Sequence, residues 1–159
     1  MKTKPIKNYL PLITILAVAI SGGLAVGFAE AASMKRFMEL MMGFFLIQFS
    51  VLKLFNIPGF ADGFQKYDLL AKAFRPYALT YPFLELALAL GYLASLGQPV
   101  YLATIVLMGF GAIGVLKALA QGLDTRCACL GTSLNVPLST VAITENLTMV
   151  AMAAAMTFL

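Results

Sequence analysis

The sequence has no histidine, no tryptophan and only two cysteines among its 159 residues. Two neighbouring cysteines do not build a disulfide framework. A four-coordinate zinc site would need further ligands, so we expect no structural zinc site within one chain. Charged residues are also scarce, at 11% against 61% hydrophobic residues, whereas roughly a quarter of a soluble domain is charged. The composition therefore predicts an integral membrane protein.

The net charge of +4 gives no reason to expect a nucleic-acid partner. The basic residues cluster at the ends of apolar runs, where they set the topology of a membrane protein. The lipid bilayer is therefore the first expected partner, and one helical bundle accounts for the whole length. The sequence leaves the oligomeric state open.

Five apolar runs have the length of transmembrane helices, which is about 20 residues. They cover residues 8–29, 37–55, 77–96, 100–119 and 136–159. The first run follows three lysines, as a signal peptide would, but it is long for a signal core and lacks a clean cleavage pattern. We therefore expect residues 1–36 to form a retained transmembrane helix with its connection, and residues 37–159 to form a four-helix membrane domain.

Residues 60–75 differ from these runs because apolar and polar side chains alternate there at helical spacing. Phe60, Phe64, Tyr67 and Phe74 recur on one face, with charged residues between them. The pattern predicts an amphipathic helix in the membrane interface, with a plain connecting helix as the alternative. The predicted fold is therefore all-α: a polytopic membrane bundle of four core helices, one extra N-terminal transmembrane helix and this interfacial helix.

The distribution of basic residues predicts the orientation. With the amino terminus inside, nine basic residues face the cytoplasm, and only Lys35 and Arg36 lie outside. This agrees with the positive-inside rule. We therefore expect a multi-pass protein of the bacterial inner membrane, with its amino terminus and the cysteine loop in the cytoplasm. That loop and residues 60–75 share one side in either orientation, because two helices separate them.

Three polar side chains are expected at one depth in the bundle. At 1.5 Å per residue, Gln48, Glu85 and Glu145 all lie roughly 10–14 Å from the boundary on the cysteine side. Gly111 lies at the same level, so the spacing predicts a polar layer beside a glycine-lined gap. Unpaired charged carboxyls are costly at this depth and should face inward. The layer either takes part in function or is a structural hydrogen-bond network.

Methionines follow the second carboxyl of this layer. Met149 and Met152 lie at i+4 and i+7 from Glu145, on one face of the last run. Thioethers are soft ligands that suit Cu(I), so a metal path is one interpretation. Ordinary core packing is the other.

The cysteine pair, Cys127 and Cys129, is separated by one alanine and preceded by Arg126. Arg126 and the start of the last helix both favour the thiolate form. Two thiolates can bind a soft ion such as Cu(I) or Hg(II). Alternatively, the pair cycles between a dithiol and a strained, easily reduced disulfide. An inert pair is the third interpretation.

Several stretches resemble the MauE/DoxX family of redox-associated membrane proteins. They are residues 67–72 (YDLLAK), Tyr77, residues 81–85 (YPFLE), residues 127–132 (CACLGT), residues 136–139 (VPLS) and Glu145. The similarity covers about residues 37–159 and implies a DoxX-like four-helix core. Some members are fused to a glutaredoxin-like domain, and others sit beside thiol-redox or heavy-metal genes. The name-giving member is similar to a maturation factor for methylamine dehydrogenase. The resemblance implies thiol–disulfide or soft-metal exchange.

Three functions remain open at this point. The first is a membrane thiol-disulfide oxidoreductase, in which Cys127 and Cys129 exchange with a thioredoxin- or glutaredoxin-like partner. With one cysteine pair, electron transfer across the membrane would need a quinone or another protein. The second is a carrier that binds Cu(I) or Hg(II) transiently. In this carrier the methionines, Glu85 and Glu145 lead the ion to the cysteines, and the partner is a metallochaperone-like protein. The third is a non-catalytic assembly factor.

Overall fold

The computed structural model describes residues 6–122 and 138–159, and every regular element in these two ranges is an α-helix. The helices are α1 Ile6–Ala29, α2 Met34–Leu54, α3 Ile57–Phe64, α4 Leu69–Ala73, α5 Arg75–Leu93, α6 Gln98–Ala120 and α7 Leu138–Phe158. The main packing pairs are α2 with α5, α6 with α7, and α1 with α2. Smaller contacts of α2 with α7 and of α5 with α6 close the four long core helices into a bundle.

Three of the helices are long and apolar enough to cross a membrane: they contain Leu12–Ala29, Met34–Leu54 and Gln98–Ala120. A shorter apolar segment, Ala142–Phe158, lies in α7. Large apolar side chains stand exposed on the outer faces, such as Val106 at 71%. A soluble protein rarely exposes so much apolar surface, whereas a bilayer solvates it. The prediction of an all-α, polytopic membrane protein is confirmed.

Local sequence signals start the helices. The Ser33 hydroxyl accepts a hydrogen bond from the Arg36 N–H at 3.3 Å before α2, which satisfies one of the free N–H groups of the first turn. Prolines occupy the first turns of α3, α5 and α6, where a missing N–H costs nothing. Gly97, with φ at 73°, allows the sharp turn between α5 and α6.

Residues 60–75 do not form one helix, which corrects the predicted interfacial helix. The chain breaks between α3 and α4 at Asp68, whose Oδ1 accepts hydrogen bonds from the N–H groups of Leu70 and Ala71 at 3.0 and 2.8 Å. An aspartate in this capping position starts a new helix. The next helix, α5, already begins at Arg75.

The apolar face of these short helices is buried in the bundle. Phe60, Phe64 and Tyr67 are each 4% exposed or less. They pack with Phe49 of α2 and Tyr81 of α5 in one aromatic cluster. Phe74 and Leu70 lie outside this cluster and are 56% and 42% exposed, so the segment presents both apolar and charged side chains to the surface.

The turn between α3 and α4 lies directly against α6 at Gly114. A Cβ atom added to Gly114 would stand 3.0 Å from the carbonyl oxygen of Tyr67 and 3.2 Å from the Cα of Asp68. One turn earlier in α6, Gly111 faces the side chain of Asn146 in α7. These contacts place α3 and α4 at the end of the bundle where α6 ends and α7 begins.

Candidate functional site

A buried ion pair joins α2 to α5 near this end of the bundle. The ammonium of Lys53 donates to both carboxylate oxygens of Glu85, at 2.5 and 2.6 Å. The two side chains are 2% and 1% exposed. A buried charge is costly unless it is paired, so each side chain lowers the free-energy cost of burying the other.

Three aromatic rings surround the ammonium. Lys53 Nζ lies 5.8 Å from the ring centre of Phe49, 5.5 Å from that of Phe60 and 5.3 Å from that of Tyr81. Each ring face attracts a cation through its quadrupole. The ammonium is therefore enclosed by the Glu85 carboxylate on one side and by aromatic rings on the others, which leaves little room for bulk water.

A small cavity borders the ion pair on the side of α6 and α7. Its volume is about 10 Å³, and Glu145, Asn146 and Gly111 line it together with Lys53 and Glu85. That is space for about one water molecule. The structure thus brings Glu85, Glu145 and Gly111 to one place.

Sequence reasoning missed Lys53 and Asn146 as members of this site. Lys53 counted only as a charge that sets orientation, because it lies close to the end of α2. A signal was present, since Phe49 and Leu46 precede it at i−4 and i−7 and both are fully buried. Helical periodicity would have placed the lysine on the buried face of α2.

Gln48 lies apart from this site, which corrects its assignment to the polar layer. Its Nε2 donates to the carbonyl oxygen of Ile15 in α1 at 3.2 Å and to that of Phe44 at 3.1 Å. The depth of Gln48 was estimated from the helical rise, but the rotation of α2 turns the residue toward α1. Its amide therefore serves the α1–α2 contact.

A large cavity lies between α1, α2 and α7, with a volume of about 450 Å³. Its walls are apolar apart from two threonines and Glu145. Met149 and Met152 line it from α7, and Met41 and Met42 line it from α2. Glu145 is 7% exposed and borders both this cavity and the small one. It therefore stands between the ion pair and the methionine-lined space.

A second polar cluster surrounds Arg36 at the opposite end of α2. The guanidinium donates to the side chains of Glu30, Glu39 and Ser95 and to the carbonyl oxygens of Tyr92 and Leu93. Glu39 in turn accepts hydrogen bonds from the hydroxyls of Ser95 and Tyr101. Arg36 thus ties the α1–α2 connection and the C-terminal end of α5 to the start of α2.

Within the described ranges, no three histidine, cysteine or acidic residues lie close enough to hold a metal ion. Cys127, Cys129 and Arg126 lie outside the described residues. The methionines therefore supply the only soft side chains that the described ranges place near Glu145.

Comparison with known proteins identifies the family. Residues 31–159 match the family described as Methylamine utilisation protein MauE. The chain belongs to the MauE family. No curated protein and no solved structure gives a significant match.

The MauE match contains the ion pair, Glu145 and the cysteine pair, whereas α1 precedes it. Leu16, Ala19 and Ile20 of α1 form one wall of the large cavity. The small cavity is therefore built within the MauE region, and the large cavity is completed by the preceding helix.

Proposed function

We propose that this MauE-family membrane protein is a thiol-redox protein. Cys127 and Cys129 exchange a disulfide with a thioredoxin- or glutaredoxin-like protein, and Arg126 favours the thiolate that leaves when the disulfide of the pair is attacked. In this exchange a thiolate of the reduced partner attacks the Cys127–Cys129 disulfide, a mixed disulfide forms, and the second thiol of the partner releases the pair as two thiols. The family match and the presence of only these two cysteines support the proposal.

The Lys53–Glu85 pair is the observation that favours redox chemistry over ion transport. A path for a soft cation through the bundle was expected to use Glu85 as a carboxylate. The Lys53 ammonium already lies within 2.6 Å of both oxygens of that carboxylate. A passing cation would have to displace this ammonium from the Glu85 carboxylate inside the bundle, at a large energetic cost.

The ends of the segment that carries the cysteines also support the proposal. Helix α6 ends at Ala120 and α7 begins at Leu138, both at the end of the bundle where α3 and α4 lie, and the cysteines fall between these two residues in the sequence. Lys66, Lys72 and Arg75 are exposed on or beside these short helices, next to Asp62. A polar, charged surface at this end suits the docking of a soluble partner protein.

The decisive experiment measures the reduction potential of the cysteine pair. We expect the purified protein in nanodiscs to titrate as a two-electron couple between about −270 and −180 mV, the range from thioredoxin to protein disulfide isomerase. A trapped mixed disulfide with a thioredoxin variant should form with Cys127 or Cys129 present. Absence of both the couple and the mixed disulfide would refute the proposal.

Cys129→Ser and Cys127→Ser provide the matched controls. Each single variant should lose the two-electron couple, and the one that keeps the cysteine bonded to the partner should accumulate the mixed disulfide. Arg126→Gln should slow formation of the mixed disulfide because the thiolate loses its neighbouring positive charge. Arg126→Lys, which keeps the positive charge, should retain most of the rate.

A soft-metal carrier is the second candidate, and the large cavity favours it. Four methionines share this cavity with Glu145, and thioethers suit Cu(I). Titration of the reduced protein with Cu(I) separates the two functions. Binding that is lost in a Met149→Leu, Met152→Leu double variant would support the carrier, whereas leucine should leave thiol exchange unchanged.

A further inference from the structure

We propose that the large cavity binds a neutral isoprenoid quinone, with the quinone ring at Glu145 and the tail along α1. The inference rests on the redox function proposed above, because it names the carrier that exchanges electrons with the cysteine pair. A volume of about 450 Å³ lies within the range of about 300–1,000 Å³ that small-molecule sites occupy.

The lining of the cavity selects the chemistry of the ligand. Its walls are aliphatic, phenylalanine and methionine side chains with two threonines, and Glu145 is the one ionisable group that the described residues contribute. In its protonated form this carboxyl donates a hydrogen bond, and a quinone carbonyl oxygen accepts one. A fatty acid would bring a second carboxyl, and a cationic amphiphile would bury an ion pair at a high cost of desolvation.

The cavity is reached from the side of the membrane. Leu16 and Ile20 of α1 line it and are 40% and 42% exposed on the surface of the bundle. Hydrocarbon covers this surface in a bilayer, so an isoprenoid tail can remain partly in the lipid. The methionines on the opposite walls, Met42 and Met149, are flexible and polarisable, which lets them fit a planar ring.

Oxidation of the cysteine pair needs an acceptor of two electrons. Oxidation of the two thiols of Cys127 and Cys129 to one disulfide releases two electrons and two protons. A quinone takes up both at its two carbonyl oxygens and becomes a quinol. The sequence contains no second cysteine pair to receive the electrons.

Binding of a short-chain probe tests the proposal. The full chain in phosphatidylcholine nanodiscs is titrated with a benzoquinone that carries two isoprene units, and saturable binding of one molecule per chain is expected. Thr148→Phe fills the cavity and should weaken binding at least about tenfold. Leu147→Phe is the control, since Leu147 is the next residue of α7, is 51% exposed and does not line the cavity.

Glu145 is tested by two variants. Glu145→Leu removes the donor and should weaken binding about threefold to tenfold, as expected for one hydrogen bond. Glu145→Gln keeps a donor and should bind within about twofold of the natural protein. Equal weakening by Thr148→Phe and Leu147→Phe, or partitioning without saturation, would overturn the proposal.

Two further arms identify the occupant and separate the two proposals. A phospholipid with a photoreactive acyl chain should label the cavity less when the quinone is present. If the quinone does not change the labelling, a bilayer lipid occupies the cavity and the inference is overturned. The Cys127→Ser, Cys129→Ser double variant should bind the probe as the natural protein does. If the probe binds but Cys127 and Cys129 show no redox activity, the redox proposal is refuted and the quinone site is supported. If thiol exchange occurs but the probe does not bind, the quinone site alone is refuted.

Discussion

Lys53 and Glu85 lie side by side inside the bundle, with the lysine ammonium 2.5 and 2.6 Å from the two carboxylate oxygens. Lys53 belongs to α2 and Glu85 to α5, and these two helices share one of the two most extensive helix contacts in the bundle. The pair cancels its own charge inside the bundle, where the two side chains are 2% and 1% exposed. It therefore fixes the rotation of both helices about their axes.

Removing one partner of this pair should be strongly destabilising. Lys53→Met leaves the Glu85 carboxylate without its counter-charge, and Glu85→Gln leaves the ammonium in the same condition. We expect each to lower the free energy of unfolding by about 3–5 kcal/mol. The double variant should recover most of this loss, because it leaves no buried charge. Unfolding in detergent, followed by circular dichroism, provides the four values of the double-mutant cycle.

The exposed pair of Arg75 and Asp62 is the matched control for this cycle. Its N–O distance is 2.7 Å, but the side chains are 50% and 61% exposed. Asp62→Asn should therefore change the free energy of unfolding by less than about 1 kcal/mol. Equal losses at the two pairs would contradict the dominant role given to burial.

Arg36 should not be replaceable by lysine. Its guanidinium reaches Glu30 through Nε and the carbonyl oxygen of Leu93 through Nη2, at 3.1 and 3.0 Å. A lysine ammonium is a single point and cannot hold these divergent partners together. We expect Arg36→Lys to lower the free energy of unfolding by about 2 kcal/mol, measured by chemical unfolding in detergent. Arg75→Lys, on the exposed surface, should leave the free energy of unfolding nearly unchanged. An equal loss in both variants would argue against a stabilising role for the divergent contacts of Arg36.

Two glycines of α6 should respond in opposite ways to substitution. Gly114→Val drives a side chain into the backbone of Tyr67 and Asp68, and we expect a loss of about 1–3 kcal/mol. Gly109 has no atom within 4 Å of an added Cβ. Gly109→Ala should therefore be neutral or stabilise α6 by up to about 1 kcal/mol through helix propensity. Thermal unfolding of both variants checks the contact of the α3–α4 turn with α6, and an unaffected Gly114→Val would refute it.

Asp68 should make stability depend on pH. Burial raises the pKa of its carboxyl above the ordinary value of 3.8, while the N–H groups of Ala71 and Leu70 oppose the shift. The folded protein therefore holds this proton to higher pH than the unfolded chain does. The contribution of Asp68 is largest below pH 3.8 and is lost as the pH rises through the folded pKa.

The Asp68→Asn variant isolates this effect. Asparagine keeps the oxygen that caps α4 but does not ionise. The gain in melting temperature of this variant over the natural protein should grow as the pH rises from about 3 and then level off. A constant difference between Asp68→Asn and the natural protein at all pH values would contradict the raised pKa.

The amino-acid sequence by itself determined the class of structure. Long apolar runs in a chain with 11% charged residues have to satisfy their backbone hydrogen bonds internally in a bilayer, and helices do this within one segment. The fixed rise of a helix also determined depth. For that reason Glu85, Glu145 and Gly111 were placed at one level without knowledge of the tertiary structure.

Only the tertiary structure decided which way each side chain points. Gln48 and Lys53 belong to the same helix, yet Gln48 contacts α1 and Lys53 meets Glu85 in the core. Asp68 divides residues 60–75 because its side chain caps α4 while the aromatic residues before it pack inward. Helical rise fixes height along the axis, but rotation about the axis is set by the neighbours against which a helix packs. The neighbours are brought together by the fold, so a single segment of sequence does not contain that information.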